Sequence, residues 1–275
     1  MKKIINCILA VLLLSFVTSS VFASPIEMEY NDGIYHFVLT GDKIKKQIKF
    51  ISSSNLITNK EAHIQSGSLL TINAGFFDPN NQKTISYIVN GSQTVEDPIF
   101  NESMMTNPVL RRNMQKILNR TELRILDCDS KLKYEIAQHR SNVDFLCSVV
   151  TSGQGGPQLL PNLRLEEEFF IVKDDEGNVI RESASVLHKT ARTLVGIKNL
   201  EKEKQELHIF IVTNEHPMDI FEARDLCKSY GLDSAMAFDG GSSTSMNYKK
   251  LSVTSTQSNG DTGRALKSFM IIQPK

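Results

Sequence analysis

The stretch that most constrains the fold lies in the C-terminal third, where two apolar strand patterns flank one amphipathic helical pattern. Residues 208–212 form an apolar run, and residues 218–230 place Ile220, Phe221, Ala223, Leu226, Cys227 and Tyr230 on one helical stripe. Gly231 suits the residue after a helix, and residues 234–238 form a second apolar run. Strand, helix and strand at this length predict a right-handed crossover between parallel neighbours, a C-terminal β-α-β unit. Apolar strands need cover on both faces, so the expected fold is α+β, a mixed β-sheet core flanked by helices.

The second run feeds directly into Asp239-Gly240-Gly241-Ser242-Ser243-Thr244-Ser245. A carboxylate at the carboxyl end of a strand stands where open sheets bind ligands, and glycines let a ligand approach backbone N–H groups. Such an aspartate serves as acid, base, nucleophile or hydroxyl acceptor, or simply caps the following turn. Asn73-Ala74-Gly75-Phe76-Phe77-Asp78 leaves the strand pattern at residues 69–72 and poses the same choice: Asn73 and Asp78 organise a turn or reach a ligand, and Phe76 and Phe77 suit core packing. Arg192 opens an apolar run, where a guanidinium needs either a bidentate anion or a structural ion pair.

Elsewhere, residues 33–39 read as a strand, residues 86–89 as a strand closed by the hairpin pair Asn90-Gly91, residues 109–118 as one surface helix, residues 123–126 as a strand, and residues 265–272 as a closing strand. Residues 151–157, rich in glycine and ended by Pro157, read as a close-packed or ligand-facing loop. No Gly-x-Ser-x-Gly, His-Glu-x-x-His or phosphate-loop spacing is present.

At the other end, Lys2 and Lys3, the apolar stretch 4–17 and Val21-Phe22-Ala23 match the three zones of a secretory signal, so residues 1–23 are expected to be removed and residues 24–275 to form one exported domain, periplasmic or secreted. The apolar stretch is too short to span a bilayer, and no membrane insertion is expected after cleavage. The chain has 31 basic and 31 acidic residues, and loss of Lys2 and Lys3 leaves 29 against 31, a balance without the footprint of a nucleic-acid binder. Cys128 and Cys147 bracket a polar segment that a disulfide would close, and Cys227, on the apolar helical stripe, reads as a small buried hydrophobe.

Four segments in this order resemble the phosphodiester glycosidase family: Asn73-Ala74-Gly75-Phe76-Phe77, Gly155-Gly156-Pro157-Gln158-Leu159-Leu160, Arg192-Thr193-Leu194-Val195-Gly196 and Ala237-Phe238-Asp239-Gly240-Gly241-Ser242-Ser243. Gly263-Arg264-Ala265 is similar to a fifth, and Ala74 stands where the family often has a second glycine. The resemblance implies hydrolysis of a sugar 1-phosphodiester at the anomeric carbon, releasing free sugar and a phosphomonoester from an envelope or extracellular glycan. It makes Asp239 the essential carboxylate, Arg192 the anion holder and Asp78 a second carboxylate acting on water. Substrate contacts are expected from Asn73, Gly75, Phe76, Phe77, Gly155, Gly156, Thr193, Gly240, Gly241, Ser242, Ser243 and Arg264. No cofactor is required by this chemistry, and a divalent cation beside Asp239 is left open. Thr213-Asn214-Glu215-His216 departs from the Asp-Gly-Arg-like turn of the family, with Glu215 either replacing a lost carboxylate or lying exposed. Two other readings are a non-catalytic glycan-binding protein that keeps the pocket and a phosphodiesterase cutting the other ester bond.

Overall fold

Side-chain alternation along three central strands sets the architecture. Ile209, Ile211, Val195, Ile197, Met236 and Phe238 join one buried cluster, while the residues between them, Phe210, Val212, Leu194, Ala235 and Ala237, join another. The sheet is thus apolar on both faces, as the runs predicted. The computed structural model describes residues 25–256 and 262–274, so the expected leader at 1–23 lies outside the described residues. The first sheet has six strands, in the order Ile26–Asn31, Ile34–Leu39, Gln205–Val212, Arg192–Asn199, Ser234–Ala237 and Gln158–Leu160.

Two further sheets have five strands, in the orders Leu251–Thr254, Ser245–Tyr248, Leu70–Asn73, Leu266–Ile272, Ile48–Ile57, and Gln93–Glu96, Ile88–Asn90, Cys147–Gln154, Thr121–Cys128, Lys131–Gln138, and Ile171–Lys173 pairs with Val179–Glu182 in a two-stranded sheet. Between the sheets, Phe50 meets Phe238 edge-on at 5.9 Å and Phe37 meets Tyr248 at 5.2 Å. Gly153 is needed on this seam, because a Cβ there would lie 2.2 Å from the Phe50 ring.

The helix Ile220–Ser229 covers the other face of the first sheet. Asp219 caps it, accepting from the N–H groups of Phe221 and Glu222, and Glu222 returns a carboxylate to the Asp219 N–H, a full capping box. Gly231 takes φ +67° after it, a conformation glycine adopts without strain.

Four sequence expectations change. Strands Gln205–Val212 and Ser234–Ala237 are not neighbours, because Arg192–Asn199 lies between them and pairs antiparallel with both. Its short link to Gln205–Val212 makes that pair a hairpin, which takes the place the crossover needed. Every ladder described is antiparallel, so the core is not a mixed sheet. The helix expected over 109–118 is two short ones, Pro108–Arg112 and Met114–Leu118, separated at Asn113, with Glu102–Thr106 before them. The loop expected over 151–157 is a strand as far as Gln154, because both edges of this stretch find ladder partners.

Cys128 and Cys147 form the expected disulfide, joining directly opposite residues of paired strands. Cys227 is buried and free, and burial pushes its thiol up to about 12. No helix among the described residues is long and apolar enough to cross a membrane.

Candidate functional site

Four of the glycine-bearing segments meet at the end of the first sheet, and Asn73 is the hub. Its amide donates to the Asp239 carbonyl at 2.6 Å, and its own carbonyl accepts from Thr193 Oγ1 at 2.7 Å and the Ser245 N–H at 3.1 Å. The Asp239 N–H donates to the Ala74 carbonyl at 3.0 Å, so the aspartate backbone is fixed at both ends. Asn73 and Thr193, both buried, therefore position Asp239 from behind.

The glycines serve close packing. A Cβ on Gly75 would lie 2.5 Å from that of Ser86, one on Gly155 2.6 Å from the Ala237 carbonyl, and one on Gly240 3.1 Å from the Ala191 carbonyl. Gly156 at φ +101° leaves room for the Glu168 carboxylate, which a Cβ would approach to 2.3 Å. Gly241, Ser242 and Ser243 form a single 3-10 turn just beyond Asp239, with Ser242 exposed and Ser243 buried. Within that turn, Ser243 bonds the Asp239 carboxylate.

Asp239 opens onto a cleft of about 260 Å³ shared with Phe76, Phe77, Ile85, Met104, Leu110, Ile117, Arg120, Phe169, Phe170, Arg181, Ser183 and Ala184. Part of the residue meets the cleft while protein encloses the carboxyl, and desolvation raises its pKa to about 6 against the opposing pull of Ser243, Arg264, the Gly240 N–H and Arg120. Arg264 donates to Ser243 Oγ at 3.2 Å and lies over the Phe77 ring.

The cation that the sequence reading missed is Arg120. Its guanidinium, 7 % exposed, stacks over Phe170 at 4.1 Å and Phe76 at 5.4 Å, and its Nε donates to the Glu168 carbonyl at 3.0 Å. The two terminal nitrogens make no hydrogen bond among the described residues. Desolvation lowers its pKa to about 10, with Glu168 and Asp239 pulling the other way. Nothing in the local sequence Leu118-Asn119-Arg120-Thr121 marked it, since its role comes from aromatic rings contributed at positions 76 and 170. Arg181 is the other cation at the cleft, over Phe169 at 4.1 Å and donating to the Phe169 carbonyl at 3.1 Å.

Two expected catalytic residues receive different places. Arg192 sits beside Gly240, yet its guanidinium is spent on backbone carbonyls: Nε on Met218 at 2.9 Å, Nη2 on Ser185 and His188 at 2.7 Å, with longer bonds to Ala184 and Val186. A carbonyl cage, rather than an anion, solvates it. Asp78 closes a tight turn, its Oδ1 accepting from the Asn80 N–H at 2.9 Å and its N–H donating to the Lys83 carbonyl, and it is not among the cleft-lining residues. The short polar run Asp78-Pro79-Asn80-Asn81 favours that local use of the carboxylate.

Glu215 is exposed and accepts from Tyr30 Oη at 3.1 Å, outside the cleft, while Asn214 accepts from the Ala191 N–H and so braces the turn below Gly241. Among the described residues, no group of three or more His, Cys, Asp or Glu side chains is arranged to hold a metal ion.

The fold and site define an antiparallel, β-rich α+β protein whose cleft sets one desolvated carboxylate among arginines. Residues 66–273 match the phosphodiester glycosidase family, and the chain belongs to that family. The family points to a glycosidase-type hydrolase. Among solved structures, the fold is similar to the zebrafish N-acetylglucosamine-1-phosphodiester alpha-N-acetylglucosaminidase catalytic domain auto-inhibited by its pro-peptide, at TM-score 0.61 and 14% identity over 91% of this chain and 82% of that one. It is also similar to a hypothetical protein from Synechocystis, at TM-score 0.54 and 12% identity over 91% of this chain and 64% of that one. A Burkholderia pseudomallei protein described as exported matches at TM-score 0.51 and 12% identity over 88% and 74%. No curated protein matches the chain in sequence.

Proposed function

We propose that this chain hydrolyses a sugar 1-phosphodiester at the anomeric carbon, with Asp239 as the essential carboxylate and Arg120 as the principal phosphate-facing cation. The observation that carries this reading is the pairing, in one cleft, of a carboxyl shifted up to about 6 by burial with a guanidinium whose terminal nitrogens make no hydrogen bond among the described residues. Water supplies the oxygen. The bond from the anomeric carbon to the phosphate oxygen breaks, its electron pair goes to the phosphate, and the water proton passes to ionised Asp239. The products are free sugar and a phosphomonoester, and the leaving phosphate needs little protonation. Arg120, with Arg181 in the same cleft, opposes the charge that develops there. The ionised carboxylate also suits the positive character of the sugar carbon in its transition state.

The reading keeps Asn73, Gly75, Gly155, Gly156, Thr193, Gly240 and Gly241 as the scaffold that fixes this constellation. Arg192 becomes a positioning residue that holds the 184–188 backbone beside Gly240, and no metal is assigned. The disulfide suits an oxidising compartment, and an exported protein acting on an envelope or extracellular glycan is the setting we favour.

The test is sugar release from a synthetic N-acetylglucosamine 1-phosphodiester, with Asp239→Asn as comparator. We expect wild-type turnover with phosphate retained on the other product, and a fall of about 10³-fold in kcat/KM in the variant. Release of sugar phosphate would assign cleavage of the other ester bond, and absence of turnover by the wild-type chain would leave a glycan-binding protein.

A further inference from the structure

The walls of the cleft are uneven in chemistry. Away from Asp239, Arg120, Arg181 and Ser183 the lining is hydrocarbon and thioether: Ile85, Met104, Leu110, Ile117 and Phe169. Met104, Leu110 and Ile117 come from the three short helices Glu102–Thr106, Pro108–Arg112 and Met114–Leu118, which pack on Phe169 as one cluster. Each aromatic ring at the cleft already carries an arginine over it: Arg120 on Phe76 and Phe170, Arg181 on Phe169, Arg264 on Phe77. These rings are therefore committed to holding cations rather than offered as bare platforms for a sugar ring.

A sugar acceptor beyond the phosphate would bring hydroxyls against this wall, and the wall returns no hydrogen bonds to them. Desolvating hydroxyls without partners is costly, whereas an alkyl chain gains from the same contact. Arg120 follows the last helix by two residues and its charge bears on Asp239, so carboxylate, cation and helical wall share one cleft. A carboxylate, a cation and an apolar wall in one cleft match a substrate that joins a sugar, a phosphate and an aliphatic substituent.

On the reading that Asp239 and Arg120 act on a sugar 1-phosphodiester, we propose that the alcohol on the far side of the phosphate is aliphatic, so that the substrate is a sugar joined through phosphate to a single lipid-like chain lying against Met104, Leu110 and Ile117. The occupant of the wall is thus the non-sugar half of the substrate, and its length is the specificity determinant. Each methylene buried there is worth roughly fourfold in affinity, so two or three suffice for a clear preference.

The experiment uses the mature chain and two probes, decyl phosphate and methyl phosphate, titrated by calorimetry below the critical micelle concentration of the longer one. We expect decyl phosphate to bind at least tenfold more tightly, and Leu110→Asp to bring the ratio close to one. Leu110 is only partly buried, and thermal unfolding of the variant verifies its fold. Ile85→Asn, in the same apolar cluster and also lining the cleft, provides a second variant with the same expected loss of preference. Equal affinities in the wild-type chain, or an unchanged ratio in both folded variants, overturn the proposal. Binding does not require turnover, so a chain that prefers decyl phosphate yet releases no sugar refutes the proposed hydrolysis and not the apolar subsite.

Discussion

Arg192 and Arg120 are both nearly buried, both have their pKa lowered to about 10 by desolvation, and both stand within the neighbourhood of Asp239, yet their surroundings differ in kind. Around Arg192 the chain bends back through residues 184–188 and presents carbonyl oxygens, so each nitrogen of the fork is bonded within the fold. Around Arg120 two phenylalanine faces provide the contact, and they take the charge without taking the N–H groups. A buried guanidinium in a carbonyl cage is a rivet. One stacked on rings with its outer nitrogens facing a cleft is a receptor for an anion, and burial alone does not tell the two apart.

The largest effect that separates them is on stability. Arg192→Ala leaves several buried carbonyls without donors, and we expect a loss of about 3 kcal/mol in urea unfolding, with the surviving folded protein keeping a KM near that of the wild type. Arg120→Gln should do the reverse, lowering kcat/KM by about 10²-fold while unfolding shifts by less than about 1 kcal/mol. If Arg120→Gln unfolds the protein and Arg192→Ala spares it while abolishing turnover, the roles are exchanged and the comparison fails.

The sequence made the scaffold of the site legible and left its cation hidden. Asp239, Asn73 and the glycines at 75, 155 and 240 stand in short runs whose chemistry is local: a turn, a close approach, a strand end. Arg120 depends on residues 76 and 170, far apart in the chain, and no periodicity records such a meeting. The strands were legible for the same reason as the scaffold, because alternation is a property of neighbours. Their order was not, since the hairpin partner Arg192–Asn199 inserted itself between strands that the helix connects. Asp78 shows the converse, a carboxylate promoted by its company whose Oδ1 accepts from the Asn80 N–H within a local turn.

Asn73 allows a finer test of scaffold against receptor. It contacts the Asp239 backbone and not its carboxyl, so Asn73→Ala should cost about 2 kcal/mol through three lost hydrogen bonds and lower kcat by roughly tenfold. A change confined to KM, with kcat untouched, would instead place Asn73 in contact with substrate.

The smallest expected effect concerns the proton on Asp239. A carboxyl whose pKa is raised on folding, here from 3.8 to about 6, holds its proton more tightly folded than unfolded. Its ionisation therefore subtracts stability as pH rises through the window from about 4 to about 6, and the loss persists above it. Two pKa units correspond to about 3 kcal/mol at most, and because the residue partly faces cleft water we expect nearer 1 kcal/mol. Asp239→Asn removes this dependence, so the variant should be more stable than the wild type at pH 8 by about that amount and indistinguishable from it near pH 4. The same proton should govern turnover, with kcat/KM rising through an apparent pKa near 6 to a plateau if ionised Asp239 takes the water proton. A variant less stable than the wild type at pH 8 would mean that the charge of Asp239 is compensated by Arg120 and Arg264 rather than held ready for substrate. The two arginines would then belong to the fold together with Arg192.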